Sequence, residues 1–386
     1  MLTFKDYVYT RPNMEEIEKE YTAAVEAFQS ASSFEEATQA MQTINTISNT
    51  YATQANLAYI RSSVDTNDKF YQAEREFFDE VSPVFQSLYT TYTKALAETP
   101  FKEQLEEKWG SLLFDLAQLS TQSFSEEVMP LLQEENKLTS QYAKLIASAQ
   151  IEYDGKTLTL AQLGPYAESK DRNVRKEVME KNYSFYEQNQ EEFDSIYHEL
   201  VQLRHQIAVK LGFKNFVELG YVRMNRVDYN ADMVANFRKQ VRDHIVPIAN
   251  ELYARQAKRI GIEDFKFYDQ ALDFLTGNAT PQGDPQWIVE QGRKMYSELS
   301  EETKEFFNFM TEKELMDLEA KKGKESGGYC TFIDDYQSPF IFSNFNGTSG
   351  DIDVLTHEAG HAFQVYSSRN IGIPEYVWPT HEAAEI

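Results

Sequence analysis

One cysteine, Cys330, in 386 residues excludes a disulfide within the chain. Its isolation fits a reducing compartment. No run of 18 apolar residues occurs, so no membrane-spanning helix is expected. The opening stretch Met1-Leu2-Thr3-Phe4-Lys5-Asp6-Tyr7 has no basic segment followed by an apolar one, and no signal peptide is read there. A cytoplasmic location is the simplest expectation. Basic residues are few beside acidic ones, 37 against 62, giving a net charge of −25. Such a surface disfavours nucleic acid and anionic membranes as partners. Histidine is scarcer still, with six in the chain. Their placement is therefore informative.

What is present starts with Leu355-Thr356-His357-Glu358-Ala359-Gly360-His361. The spacing HExxH in an apolar-periodic segment puts His357 and His361 on one helix face. Two imidazoles one turn apart can bind one Zn²⁺, each at about 2.0–2.1 Å. Glu358 projects beside them, where it can take a proton from a metal-bound water. Ser349 or Asp351 can cap this helix. Asp353, one turn before His357, suits the helix dipole better than a bond to a ligand histidine. A catalytic zinc needs a third protein ligand. The segment after Pro379 offers His381, Glu382 and Glu385, among which spacing alone does not choose.

The rest of the chain reads as mostly helical. At roughly 150 residues per domain, the length suggests two or three domains. Residues 1–12 look extended. Long amphipathic helices follow, one opened by Ser33 and another running from Asn67-Asp68 to about Ala97, where Thr99-Pro100 breaks it. Pro130 suits the first turn of a later helix. Asp154-Gly155, between alternating residues, marks a hairpin. Helices are expected over 159–167, 171–188, 193–211, 216–222 and 230–259, then a glycine- and proline-rich loop over 260–285, then helical structure again over 285–311. From about Leu315 the pattern changes to a glycine-rich basic loop, a strand at Cys330–Ile333, a turn, and a second strand at Phe340–Phe345.

These residues carry a resemblance. The chain resembles the oligoendopeptidase F group of thimet-oligopeptidase-like zinc metallopeptidases. The likeness lies in Gly323–Cys330, Asn344–Thr348, Leu355–His361 and Trp378–Ile386, with weaker support at Asp154-Gly155 and Phe216–Gly220. It implies a mainly α, multi-helix zincin body with a helical amino-terminal lobe over 1–115. A catalytic domain over 116–386 carries a small sheet beside the HExxH helix. It implies one Zn²⁺ per chain on His357, His361 and Glu385, with Glu358 as general base. Glu385 is preferred over Glu382 because the family's glutamate also precedes an isoleucine. It implies cleavage of short peptides that add to a sheet edge, which gives Gly328, Tyr329, Phe342 and Asn344 a binding role. Members of the group continue past the third ligand into helices bearing a histidine and a tyrosine for the oxyanion, so a form shortened at its carboxyl end is expected. Two alternatives stand beside endopeptidase activity: a zinc- or peptide-binding helical fragment without turnover, and a metallocarboxypeptidase with Glu382 as ligand. Co²⁺ or Mn²⁺ could occupy the same ligand set.

Overall fold

Three side-chain caps start the first long helices. Asn13 accepts from the Glu16 amide, Ser33 from Glu36, and Asp68 from Phe70 and Tyr71. Each satisfies amides that a helix leaves unpaired in its first turn. The helices they open, Met14–Gln29, Phe34–Val64 and Lys69–Glu98, pack together around Tyr21, Phe28, Met41, Ile44, Tyr92 and Leu96. This computed structural model describes residues 2–385. Ile386, the last residue of the Trp378–Ile386 motif, and Met1 lie outside the described residues. The opening segment is not extended throughout, for Phe4–Asp6 form a 3₁₀ turn in which Asp6 accepts from Thr3. Tyr7 then enters a second core, where its hydroxyl meets Ser338 at 2.8 Å.

Short helices at Lys102–Trp109 and Leu112–Gln122 and a longer one at Met129–Ala147 lead to a hairpin, β1 (Ile151–Tyr153) with β2 (Lys156–Leu158). Asp154 and Gly155 have φ of 50° and 70°, the left-handed pair that a two-residue turn requires. The expected helix over 159–167 is two pieces, a 3₁₀ turn at Ala161–Leu163 and one α turn at Gly164–Ala167. Thr159 and Gln162 satisfy each other's backbone amides, and Pro165 restarts the helix. Helices Arg172–Gln188, Gln190–Lys210 and Phe216–Arg223 follow. Ala231–Gln240 then runs through a π turn at Val241–Ile245 into Val246–Arg259. Along this last arm Met233, Phe237, Ile245, Ile248 and Leu252 are all exposed.

The loop after the arm is fastened by a buried ion cluster. Asp269 accepts from Arg172 and from Arg175, with Arg175 Nη2 at 2.8 Å. Burial pushes the Asp269 carboxyl up, but Arg172, the Lys266 amide and Arg175 outweigh it and hold it at about 2. A carboxyl depressed on folding contributes stability above its unfolded value near 3.8, and that contribution is lost as pH falls through the folded value. Urea unfolding between pH 4 and pH 2 is expected to show a loss of about 2 kcal/mol from this residue. Asp269→Asn is expected to remove that part of the pH dependence.

The helical stretch expected over 285–311 holds two helices, Pro285–Leu299 and Glu301–Glu312. Ser300 between them is extended, with φ −162° and ψ 166°, and caps the second helix through the Thr303 amide. A third strand also emerges that the sequence reading lacked. β3 (Met316–Glu319) pairs in parallel with β5 (Ser338–Phe345), and β5 pairs antiparallel with β4 (Tyr329–Ile333). The order β3-β5-β4 makes β5 the central strand, buried along nearly its whole length. The helix Gly350–Ser368 lies on this sheet. Its Leu355, Ala359, Ala362 and Tyr366 recur at helical spacing and enter one core with Phe306, Phe307, Phe340 and Phe342. Among the described residues no helix is long and apolar enough to cross a membrane.

Candidate metal centre

The helix Gly350–Ser368 is oriented by its apolar stripe, so the face carrying His357 and His361 is turned away from the sheet. Its entry is fixed by Asp351, whose carboxylate accepts from the Asn346 and Gly347 amides at 2.9 and 2.8 Å. Asp351 therefore ties the helix to the end of β5 and does not cap it. Ser349 makes no side-chain cap either. Asp353 is exposed, and among the described residues its carboxylate holds neither imidazole.

At the far end the chain returns after Arg369. Gln364 Nε2 and Ser368 Oγ both donate to the Val377 carbonyl, at 3.0 and 2.8 Å. One helical turn, His381–Ala384, then presents Glu385. His357 Nε2 and His361 Nε2 are 3.0 Å apart. Glu385 Oε2 lies 3.4 Å from the first, and Oε1 lies 3.5 Å from the second. These three side chains offer ligand atoms within 4.8 Å of one another. Atoms bound tetrahedrally to one zinc at about 2.0–2.1 Å lie about 3.3 Å apart, so the observed edges suit such an ion. The donor chemistry agrees, since imidazole lone pairs and a carboxylate converge where only a proton or a cation stabilises them. Burial, then His357, lowers the His361 pKa against the pull of Glu385, which keeps that imidazole neutral and able to ligate.

His381 stands outside this group. Glu382 is turned away, since its carboxylate accepts from Arg226 Nε at 2.7 Å. The geometry thus brings together His357, His361 and Glu385, and separates His381 and Glu382 from them. Arg226 carried no signal in the sequence, because its partner lies 156 residues downstream.

Glu358 points into a different setting from the two histidines. It is only 6% exposed, and its Oε2 has no hydrogen-bond partner among the described residues. Burial raises its carboxyl to about 7, with His357 opposing and Glu385 adding to the rise. The opposing wall is Gly328. A Cβ at that position would lie 3.2 Å from Glu358 Oε1. The absent side chain leaves the space in which Glu358 sits.

The other residues singled out beside Gly328 hold the loop. Tyr329 stacks on Phe342 at 4.7 Å between ring centroids, and its hydroxyl meets Ser63 at 2.7 Å. Phe342 is fully buried. Asn344 Nδ2 donates to the carbonyls of Glu325 and Gly327 at 2.9 and 2.8 Å. Lys324 is buried under the Phe342 ring, and its ammonium donates to Asp317 Oδ1 at 2.6 Å and to the Asp317 and Glu319 carbonyls. The glycine-rich loop is thereby clamped between β3 and β5 on one side and the Phe34–Val64 helix on the other.

Comparison with known proteins agrees with this architecture. The profile described as Peptidase M3 N-terminal domain matches residues 4–124, and Peptidase family M3 matches 165–279 and 288–386. The chain is 24% identical over 270 residues to an oligoendopeptidase F homolog of Borreliella burgdorferi, covering 66% of this chain and 45% of that protein. It is 27% identical over 210 residues to the chromosomal oligoendopeptidase F of Lactococcus lactis subsp. cremoris, covering 53% and 33%. The chain thus spans less than half the length of these curated relatives. Two solved structures are closer. PZ peptidase A with inhibitor 2 is 57% identical with a TM-score of 0.98, covering 99% of this chain and 68% of that one. A Bacillus anthracis str. Ames protein provisionally named oligoendopeptidase F is also 57% identical with a TM-score of 0.98, covering 100% and 71%.

Proposed function

This chain belongs to peptidase family M3, and from that premise we propose that it acts as a zinc-dependent endopeptidase on short peptides. His357, His361 and Glu385 hold the ion and Glu358 serves as general base. The observation that carries the proposal is the convergence of those three ligand side chains beside one buried carboxylate without a partner. When bound, the ion supplies a Lewis acid that polarises the scissile carbonyl and makes water more acidic.

The protein's own groups account for the rest. Glu358 Oε2 takes a proton from the attacking water and passes it to the leaving amine. A carboxyl held beside the reacting water can serve both steps, first as base and then as acid. The peptide adds as a strand to the outer edge of β4. The Phe332 carbonyl faces away from β5, where Asn56 Nδ2 donates to it at 2.8 Å. By the two-residue period, the backbone groups of Cys330 face the same edge, and Gly328 lies just before the strand. A peptide on that edge runs past Gly328, next to Glu358. Tyr329, Phe342 and Asn344 serve the substrate indirectly, by fixing this edge. The carboxypeptidase alternative drew its third ligand from Glu382, and that carboxylate is engaged by Arg226.

Metal analysis tests the proposal most directly. The purified protein is expected to carry about one zinc, and His361→Ala well below that. At zinc 100-fold above its Kd, the ion is expected to stabilise the wild type by about 2.7 kcal/mol and to lose that effect on chelation. Zinc-independent cleavage of a quenched fluorogenic peptide, unaffected by a chelator, would overturn the reading.

A further inference from the structure

We propose that Arg226 is a positioning residue for Glu385, acting through Glu382; the inference rests on the metal reading above. Glu385 needs such help. Its side chain is 62% exposed and, among the described residues, approaches only the two histidines. The helix that presents it is a single turn, and Thr380 at its start makes no side-chain cap. One turn of helix does not hold itself in water.

Two attachments hold the segment instead. Upstream, Gln364 and Ser368 grip the Val377 carbonyl. Downstream, Glu382 accepts from Arg226 Nε at 2.7 Å and from Nη2. Both donors converge on Oε1, and charge-assisted contacts of this kind are stronger than neutral ones. Glu385 directly follows the single turn that bears Glu382, so an anchor on Glu382 holds the backbone from which Glu385 projects.

Arg226 is itself held before Glu382 arrives. Asn225 has a left-handed φ of 53°, which turns the chain back after the helix Phe216–Arg223. The Arg226 amide donates to the Tyr221 carbonyl. Its guanidinium lies 4.2 Å from the Tyr221 ring centroid and 5.6 Å from that of Tyr229. The Arg226 side chain is only 14% exposed. A rigid cation, fixed to a separate helix, thus sets where the third ligand stands.

Metal affinity separates positioning from mere stabilisation. Zn²⁺ is titrated into metal-stripped wild type, Arg226→Gln, Glu382→Gln, and the charge swap Arg226→Glu with Glu382→Arg. Co²⁺ absorption in each reports the ligand set, and metal-free unfolding reports the fold. Arg226→Gln and Glu382→Gln are expected to weaken Zn²⁺ binding about 10–100-fold and to alter the Co²⁺ spectrum. The swap is expected to recover most of the affinity. Unchanged Zn²⁺ affinity and Co²⁺ spectrum in both single variants would overturn the inference alone, even if metal-free stability fell. Wild type that binds no Zn²⁺, or binds it as well after His357→Ala, would overturn the metal reading and this inference with it.

Discussion

Glu358→Gln is expected to lower kcat by about 10²–10⁴-fold while zinc content stays near one per chain. Glutamine keeps the shape of the side chain and cannot accept the proton from water. The three proposed ligands are untouched by the change, since Glu358 is not among the side chains that converge there. Stability is expected to move in the opposite direction from activity. Burying an ionised carboxylate without a partner costs free energy, which is why the Glu358 carboxyl rises to about 7. A neutral amide in that place removes the cost. The metal-free variant should therefore unfold at the wild-type temperature or slightly above it. A core position that gains stability when its natural residue is lost is the mark of a site kept for chemistry. Peptide cleavage, zinc content and thermal midpoint, measured on the same preparation, check all three. Full activity in a zinc-loaded Glu358→Gln protein would remove Glu358 from the mechanism.

The contrast between what was legible in the sequence and what was not follows the range of the interactions. The helix Gly350–Ser368 could be read locally. Its apolar stripe Leu355, Ala359, Ala362 and Tyr366 and its two histidines repeat within single turns, and both periods are set by backbone geometry. The caps Ser33 and Asp68 were legible for the same reason. β3 was not, because Met316-Asp317-Leu318-Glu319 is short and half acidic, and it becomes a strand only when β5 offers a parallel edge. The break at Ser300 did carry a local signal, a serine three residues before a threonine that caps it, hidden by the apolar pattern on either side. The proposed third ligand lay furthest from local reading. Glu382 and Glu385 are equally acidic and share one turn, and Arg226, fixed by a different helix, engages one of them. Only the family resemblance favoured Glu385 beforehand. The groups around Gly328 were ambiguous for another reason. A glycine-rich loop beside a strand looks like a binding surface whether its neighbours meet a ligand or hold the loop, and Tyr329 and Asn344 bond to Ser63 and to the loop carbonyls.

That distinction yields the other large effect. Gly328→Val is expected to reduce kcat/KM by about 10²-fold or more with zinc retained, because displacing a catalytic group by about 1 Å costs on that order. A Cβ at residue 328 would stand 3.2 Å from Glu358 Oε1, 3.4 Å from the Phe342 carbonyl and 3.5 Å from Val354 Cγ1. The Phe342 carbonyl belongs to the central strand, paired on both sides, and cannot retreat. Val354 belongs to the helix that carries the histidines. Glu358 is left as the group that moves. Gly328→Ala asks it to shift by a few tenths of an ångström and should cost less; valine adds two methyl groups to the same space and also crowds the edge where the peptide is proposed to lie. Tyr329→Phe provides the comparison. It deletes only the bond to Ser63, so it should cost about 1 kcal/mol of stability and leave kcat/KM within about threefold. Should Tyr329→Phe instead raise KM tenfold at an unchanged thermal midpoint, the tyrosine contacts substrate directly. Should Gly328→Val keep wild-type turnover, Glu358 is not confined by the β4 edge, and the peptide must approach the metal centre from another side.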